Sequence, residues 1–175
     1  MQRLCIAIIL SLVIPTATLG ETAPHISKNP VSYQQLNAAA KQEVDCLADN
    51  IYFESAGEPR KGQKAVAMVT VNRLKTNDFG TTICSVVKQK IDNKCQFSWW
   101  CNSRLRYMAL NKKYDKQTYE RIRQIAVDIY LNHGKMRDVT DGATFFHATR
   151  VPKRSLGVKN LQMTVQIGQH IFYRT

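Results

Sequence analysis

The chain has 175 residues, with 25 Lys plus Arg against 13 Asp plus Glu, a formal net charge of +12 and five cysteines. That charge makes an anion the natural partner, but the basic residues are scattered from Lys61 to Arg154 with no one-sided stripe, which argues against a nucleic-acid reading head. A chain of this length suits one domain with a genuine core, and beyond the first twenty residues no apolar run approaches a membrane span.

Residues 1–20 carry Arg3, then an apolar run from Cys5 to Ile14, then Pro15 and small residues up to Gly20. This is the pattern of a signal peptide with cleavage after Gly20, so the protein is expected to be exported, periplasmic or extracellular. The alternative is an uncleaved N-terminal anchor. Cys5 leaves with the signal, and the remaining Cys46, Cys84, Cys95 and Cys101 form an even set that predicts two disulfides in an oxidising compartment. Three pairings are open. A four-cysteine zinc site would need paired short spacings that are absent, so no metal is expected.

Residues 21–38, polar and containing Pro24 and Pro30, read as an exposed leader before a domain spanning 39–175. A first helix is predicted from Ala38 to Ala56, with Val44, Leu47, Ala48, Ile51 and Tyr52 on one face. Glu54 falls about 90° from the centre of that stripe, on the border between core and solvent. A carboxylate held there is partly desolvated, which raises its pKa toward the range of a general acid. Gly57-Glu58-Pro59 stops the helix, and Pro59 suits the first position of the next, with Glu58 placing negative charge at its start. Glu58 is also close enough in sequence to be a secondary carboxylate.

The second helix, 59–74, contains AVAMVTV at 65–71, apolar on nearly every side and therefore buried. Asn72 and Arg73 at its end are expected to tie it to neighbouring loops. A short helix follows over 82–89, and residues 90–115 read as a loop holding CQFSWWC at 95–101. There Gln96, Ser98 and Trp99, with Trp100, offer the amide, hydroxyl and flat aromatic surfaces that bind sugars, with one of the two tryptophans expected to be exposed. Tyr119, Ile122, Ala126, Ile129 and Tyr130 recur at helical spacing up to His133-Gly134. Short alternating segments end the chain: ATFFHA at 143–148 and MTVQI-GQ-HIFYR at 163–174, with Gly168-Gln169 fitting a two-residue hairpin turn. His147, His170 and Tyr173 on these strands are candidates to face the cleft. The fold class is α+β, mainly helical, with a small C-terminal β-sheet.

In order along the chain, LADNIYFESAGEP, GQKAVAMVTVNRL, TICSVVKQ, CQFSWWC, GATFFHA and IGQHIFYR resemble the spore-cortex-lytic (SleB-like) family of bacterial and phage cell wall hydrolases. The resemblance covers nearly all of the chain after the signal. It implies a lysozyme-like single domain that cleaves the glycan strand of peptidoglycan, in the best-known members as a lytic transglycosylase, with Glu54 of the E-x-x-G-E pattern as the catalytic acid. Ser55-Ala56 stand where the family commonly has Ala-Arg. A transglycosylase needs one carboxylic acid, because the 6-hydroxyl of the muramic sugar takes the place of water; a hydrolase of muramidase type needs a second carboxylate. The expected partner is peptidoglycan, met by a monomer without cofactors. Two other readings are a zinc amidase using His147, His170 and Glu54, which lacks any compact ligand pair, and a non-catalytic wall-binding module.

Overall fold

The computed structural model describes residues 31–76 and 78–175, so the signal peptide at 1–20 and most of the leader lie outside the described residues. The described end of the leader is not simply exposed. A 3-10 turn at Tyr33–Gln35 precedes Leu36, which is buried in the main core and makes this stretch part of the domain.

Helix α1 (Ala38–Ser55) starts where the Asn37 side chain accepts the Ala40 N–H at 2.9 Å, satisfying one of the orphan donors of the first turn. Helix α2 (Arg60–Lys75) uses Pro59 as its N-cap, one position earlier than the sequence suggested. Every side chain from Ala65 to Val71 is buried. Three of these residues are valines, whose helix propensity is poorer than that of alanine by at most about 0.7 kcal/mol each. Full burial of a valine contributes about 1.5–3 kcal/mol, so packing overrides propensity.

Helix α3 (Ile83–Lys88) opens with a capping box at Thr82, and α6 (Lys116–Asn132) opens with Asp115 accepting the Thr118 N–H. Residues 90–115 are more ordered than the expected loop. They form a two-residue ladder between β1 (Lys90–Ile91) and β2 (Lys94–Cys95), then α4 (Ser98–Cys101) and α5 (Ser103–Leu110). Helix α5 hides from a periodicity search because only Ala109 is buried while Tyr107 and Leu110 are exposed; its start is instead marked by the Asn102 cap on Leu105.

Three antiparallel strands, β3 (Phe145–Ala148), β4 (Gln162–Ile167) and β5 (His170–Arg174), form a sheet with β5 in the centre. The architecture is mainly helical α+β. Helix α2 separates two cores. One packs α1, α3 and α6 together with Phe97 and Trp99, and the other sets Ala65, Val66 and Val69 against Ala143, Ile167 and Phe172 of the sheet side. Two disulfides pair Cys46 with Cys84, joining α1 to α3, and Cys95 with Cys101, closing the CQFSWWC segment on itself.

Candidate active site

Glu54 sits in the last turn of α1, half-buried, and burial pushes its carboxyl up to about 7, against the opposing pull of Arg73. A glutamic acid with that value is substantially protonated near neutrality, which is what proton donation to a leaving group requires. Ser55 beside it is buried and returns its hydroxyl to the Ile51 carbonyl at 2.9 Å, so it serves the helix end.

Arg73 is the cation whose charge opposes the effect of burial on Glu54, a role the sequence alone did not assign to it. It continues the buried stripe of α2 at Val66 and Val69, and only 4% of it is exposed. Its Nε donates to the Thr144 carbonyl at 2.8 Å, and the guanidinium carbon lies 4.6 Å from the Phe79 ring centroid, 4.8 Å from Phe97 and 5.7 Å from Phe145. Burial lowers it to about 10, opposed by Glu54, so it remains charged at neutral pH. A cation that falls on the buried face set by Val66 and Val69, away from the exposed Arg60 and Lys61, was the available signal. Asn72 next to it does tie the helix end to a loop, donating to Asp138, Thr140 and the Ala143 carbonyl.

The other candidate residues differ in exposure and in the face of the sheet or segment they occupy. Trp99 is a core side chain: 3% exposed, stacked on Phe53 at 4.7 Å, with its indole N–H donating to Asn50 Oδ1 at 2.9 Å. Its expected role as a sugar platform is therefore corrected, since its face is covered. The more open tryptophan is Trp100, half-buried, with Lys88 5.3 Å from its ring centroid. Ser98 is exposed and Gln96 half-buried on the same disulfide-closed segment. Phe97 links this segment to the site through Arg73.

His147, His170 and Tyr173 are all buried, and they do not share a face of the sheet. In the register of β3 with β5, His147 faces Ile171 and Tyr173 faces Phe145, while His170 faces Ala148 on the opposite side with Phe146 and Phe172. Positions 170 and 173 are an odd number apart, and strand side chains alternate, so they cannot point the same way. His147 Nε2 pairs with the Tyr173 hydroxyl at 3.0 Å, and Lys153 lies over the Tyr173 ring. Burial holds the His170 imidazole below its usual range, against the pull of Glu58. His147, His170 and Glu54 therefore do not form a convergent zinc-ligand set, and the described residues contain no group of three or more His, Cys, Asp or Glu placed to hold a metal.

Two more carboxylates require an account. Glu58 does not cap α2; its Oε2 accepts the backbone N–H of Gln169 at 3.0 Å. Asp49, one of several acids that the sequence did not distinguish, is pushed up by burial and opposed by hydrogen bonds from Tyr114 and Tyr119, whose hydroxyls donate to it at 2.6 Å each. It lies five residues before Glu54, about 140° around the helix, and Lys112 is 3.6 Å away. Its Oδ1 takes both tyrosine hydroxyls and so serves the packing of α1 against the Tyr114–Tyr119 pair.

Residues 57–173 match the family model described as cell wall hydrolase. The chain belongs to the cell wall hydrolase family. The match begins three residues after Glu54, so the place of Glu54 in the site rests on its position and environment. Two spore cortex-lytic enzymes from Bacillus cereus are each 37% identical over 51 residues, which cover 29% of this chain and 20% of the relative. The matched segment thus spans about a fifth of those curated relatives. No solved structure matches the chain.

Proposed function

We propose that this cell wall hydrolase is an exported enzyme that cleaves the glycan strand of peptidoglycan as a lytic transglycosylase, with Glu54 as its single acid and base. The observation that carries the reading is a carboxyl held at about 7 by burial, while Glu58 and Asp49 are each engaged by protein donors. Glu54 gives its proton to the glycosidic oxygen as the bond from that oxygen to the anomeric carbon breaks. The carboxylate so formed then takes the proton of the muramic 6-hydroxyl, whose oxygen closes onto the same carbon. The product is a 1,6-anhydro end and Glu54 is protonated again, so no water is consumed. Paired cysteines and a net charge of +12 support an oxidising compartment and an anionic wall polymer as the setting.

Mass spectrometry of muropeptides from purified walls tests this. Anhydro ends support the proposal; reducing ends would instead mean hydrolysis with a water nucleophile, and freed stem peptides would mean an amidase. Binding without any product would leave a wall-binding module.

A further inference from the structure

Arg73 presents a charge problem that its packing does not solve. Its Nη1 is shielded from solvent and has no hydrogen-bond partner, and its Nε is taken by the Thr144 carbonyl. Three phenylalanine rings surround the guanidinium, and their negative faces attract a cation. Burying a guanidinium is costly and ring faces offer no hydrogen-bond acceptor, so Nη1 still lacks a partner for its N–H groups. Asn50, one turn before Glu54 on the same face of α1, donates to Thr70, one turn before Arg73 on the same face of α2, at 3.1 Å, so the helix faces carrying Glu54 and Arg73 meet, and the Glu54 charge opposes the effect of burial on Arg73.

We propose that Arg73 is the positioning residue of the site: pinned by Thr144 and the Phe79, Phe97 and Phe145 rings, it keeps an uncommitted guanidinium nitrogen as the counter-charge for the Glu54 carboxylate. The inference rests on the reading of Glu54 as the acid. The cation matters most at one moment, when Glu54 has released its proton to the leaving oxygen and must wait as a carboxylate in a half-buried place. A positive charge fixed nearby favours that state and keeps the acid from becoming too weak to give up its proton. Three of the ordered sequence segments meet here for this purpose: NRL supplies Arg73, CQFSWWC supplies Phe97, and GATFFHA supplies the Thr144 carbonyl and Phe145.

The test compares Arg73→Met, which keeps bulk without charge, with Arg73→Lys, which keeps charge without the planar fork. The readouts are the Glu54 carboxyl titration by carbon NMR and the pH profile of wall clearance. In Arg73→Met the Glu54 midpoint should rise by about one unit or more, the alkaline limb of activity should move up with it, and turnover should fall at least about tenfold. Arg73→Lys should hold the midpoint near the wild-type value. A purely structural Arg73 predicts equal midpoints in all three proteins, and that result would overturn the proposal. Should the variants fail to fold, the Arg73 Nε–H resonance of the wild type is followed from pH 5 to 9. It should shift with the Glu54 midpoint and lose that step in Glu54→Gln; a flat response overturns the coupling. A failure of the acid assignment itself shows separately, as wall clearance by Glu54→Gln whatever the titrations give.

Discussion

Glu58 Oε2 accepts the Gln169 N–H at 3.0 Å, so the turn between α1 and α2 is clamped to the tip of the β4–β5 hairpin, 111 residues later in the chain. The clamp explains the glycine before Gln169. Gly168 has φ +58°, and a Cβ there would stand 1.9 Å from Glu58 Oε2. Gly168→Ala should therefore destabilise the fold by more than about 1 kcal/mol, combining backbone strain with displacement of the clamp. Glu58→Gln keeps an acceptor oxygen and should retain most of the wall-lytic activity. Turbidity clearance and thermal unfolding check both, and a dead Glu58→Gln enzyme would restore a two-carboxylate mechanism.

Glu54→Gln should lose at least about a hundredfold in wall clearance while remaining folded, because the amide keeps the shape but has no acid proton. The sign of its stability effect follows from a pKa raised from 4.5 to about 7. The contribution is fully present below pH 4.5 and is lost as pH rises through about 7, because ionisation is harder in the folded state. Wild-type protein should therefore lose stability between pH 5 and pH 8, by on the order of 2 kcal/mol, and the Gln variant should not. Denaturant unfolding at the two pH values gives the comparison; parallel curves would contradict the environment assigned to Glu54.

The two disulfides should differ in worth and in access. Cys46 and Cys84 are 38 residues apart and both buried, while Cys95 and Cys101 are 6 apart and Cys101 is exposed. Loop-closure entropy assigns about 4 kcal/mol to the first and about 2 kcal/mol to the second. Mild reductant should open Cys95–Cys101 first, with a small fall in melting temperature, and the paired alanine variants should reproduce the order. Thiol titration of the unreduced, unfolded protein should find none of these four free.

Trp99 and Trp100 should separate cleanly. Trp99→Ala removes a stacked core indole and strands Asn50, and should cost about 3–5 kcal/mol of stability. Trp100→Ala should change stability much less but weaken glycan binding by on the order of 1 kcal/mol, if the half-buried ring is a sugar platform. Fluorescence titration of the Glu54→Gln protein with soluble glycan, repeated with Trp100→Ala, measures this; quenching that persists without Trp100 would move the platform elsewhere.

Local physics alone determined much of this molecule. The stripe from Val44 to Tyr52, the wholly apolar 65–71 segment, the Gly168 turn and the border position of Glu54 all follow from periodicity and turn chemistry, which act over a few residues. Decisions between distant segments belonged to the tertiary structure. Which cysteines pair, which tryptophan is covered, and that His170 turns away from His147 and Tyr173 depend on strand register and on surfaces contributed 20 to 70 residues away. The same holds for the carboxylates. Asp49, Glu54 and Glu58 lie within ten residues of one another, yet two tyrosines, a buried arginine and a hairpin amide give them three different tasks. A carboxylate takes its charge state from what surrounds it in space, and only the folded chain supplies those surroundings.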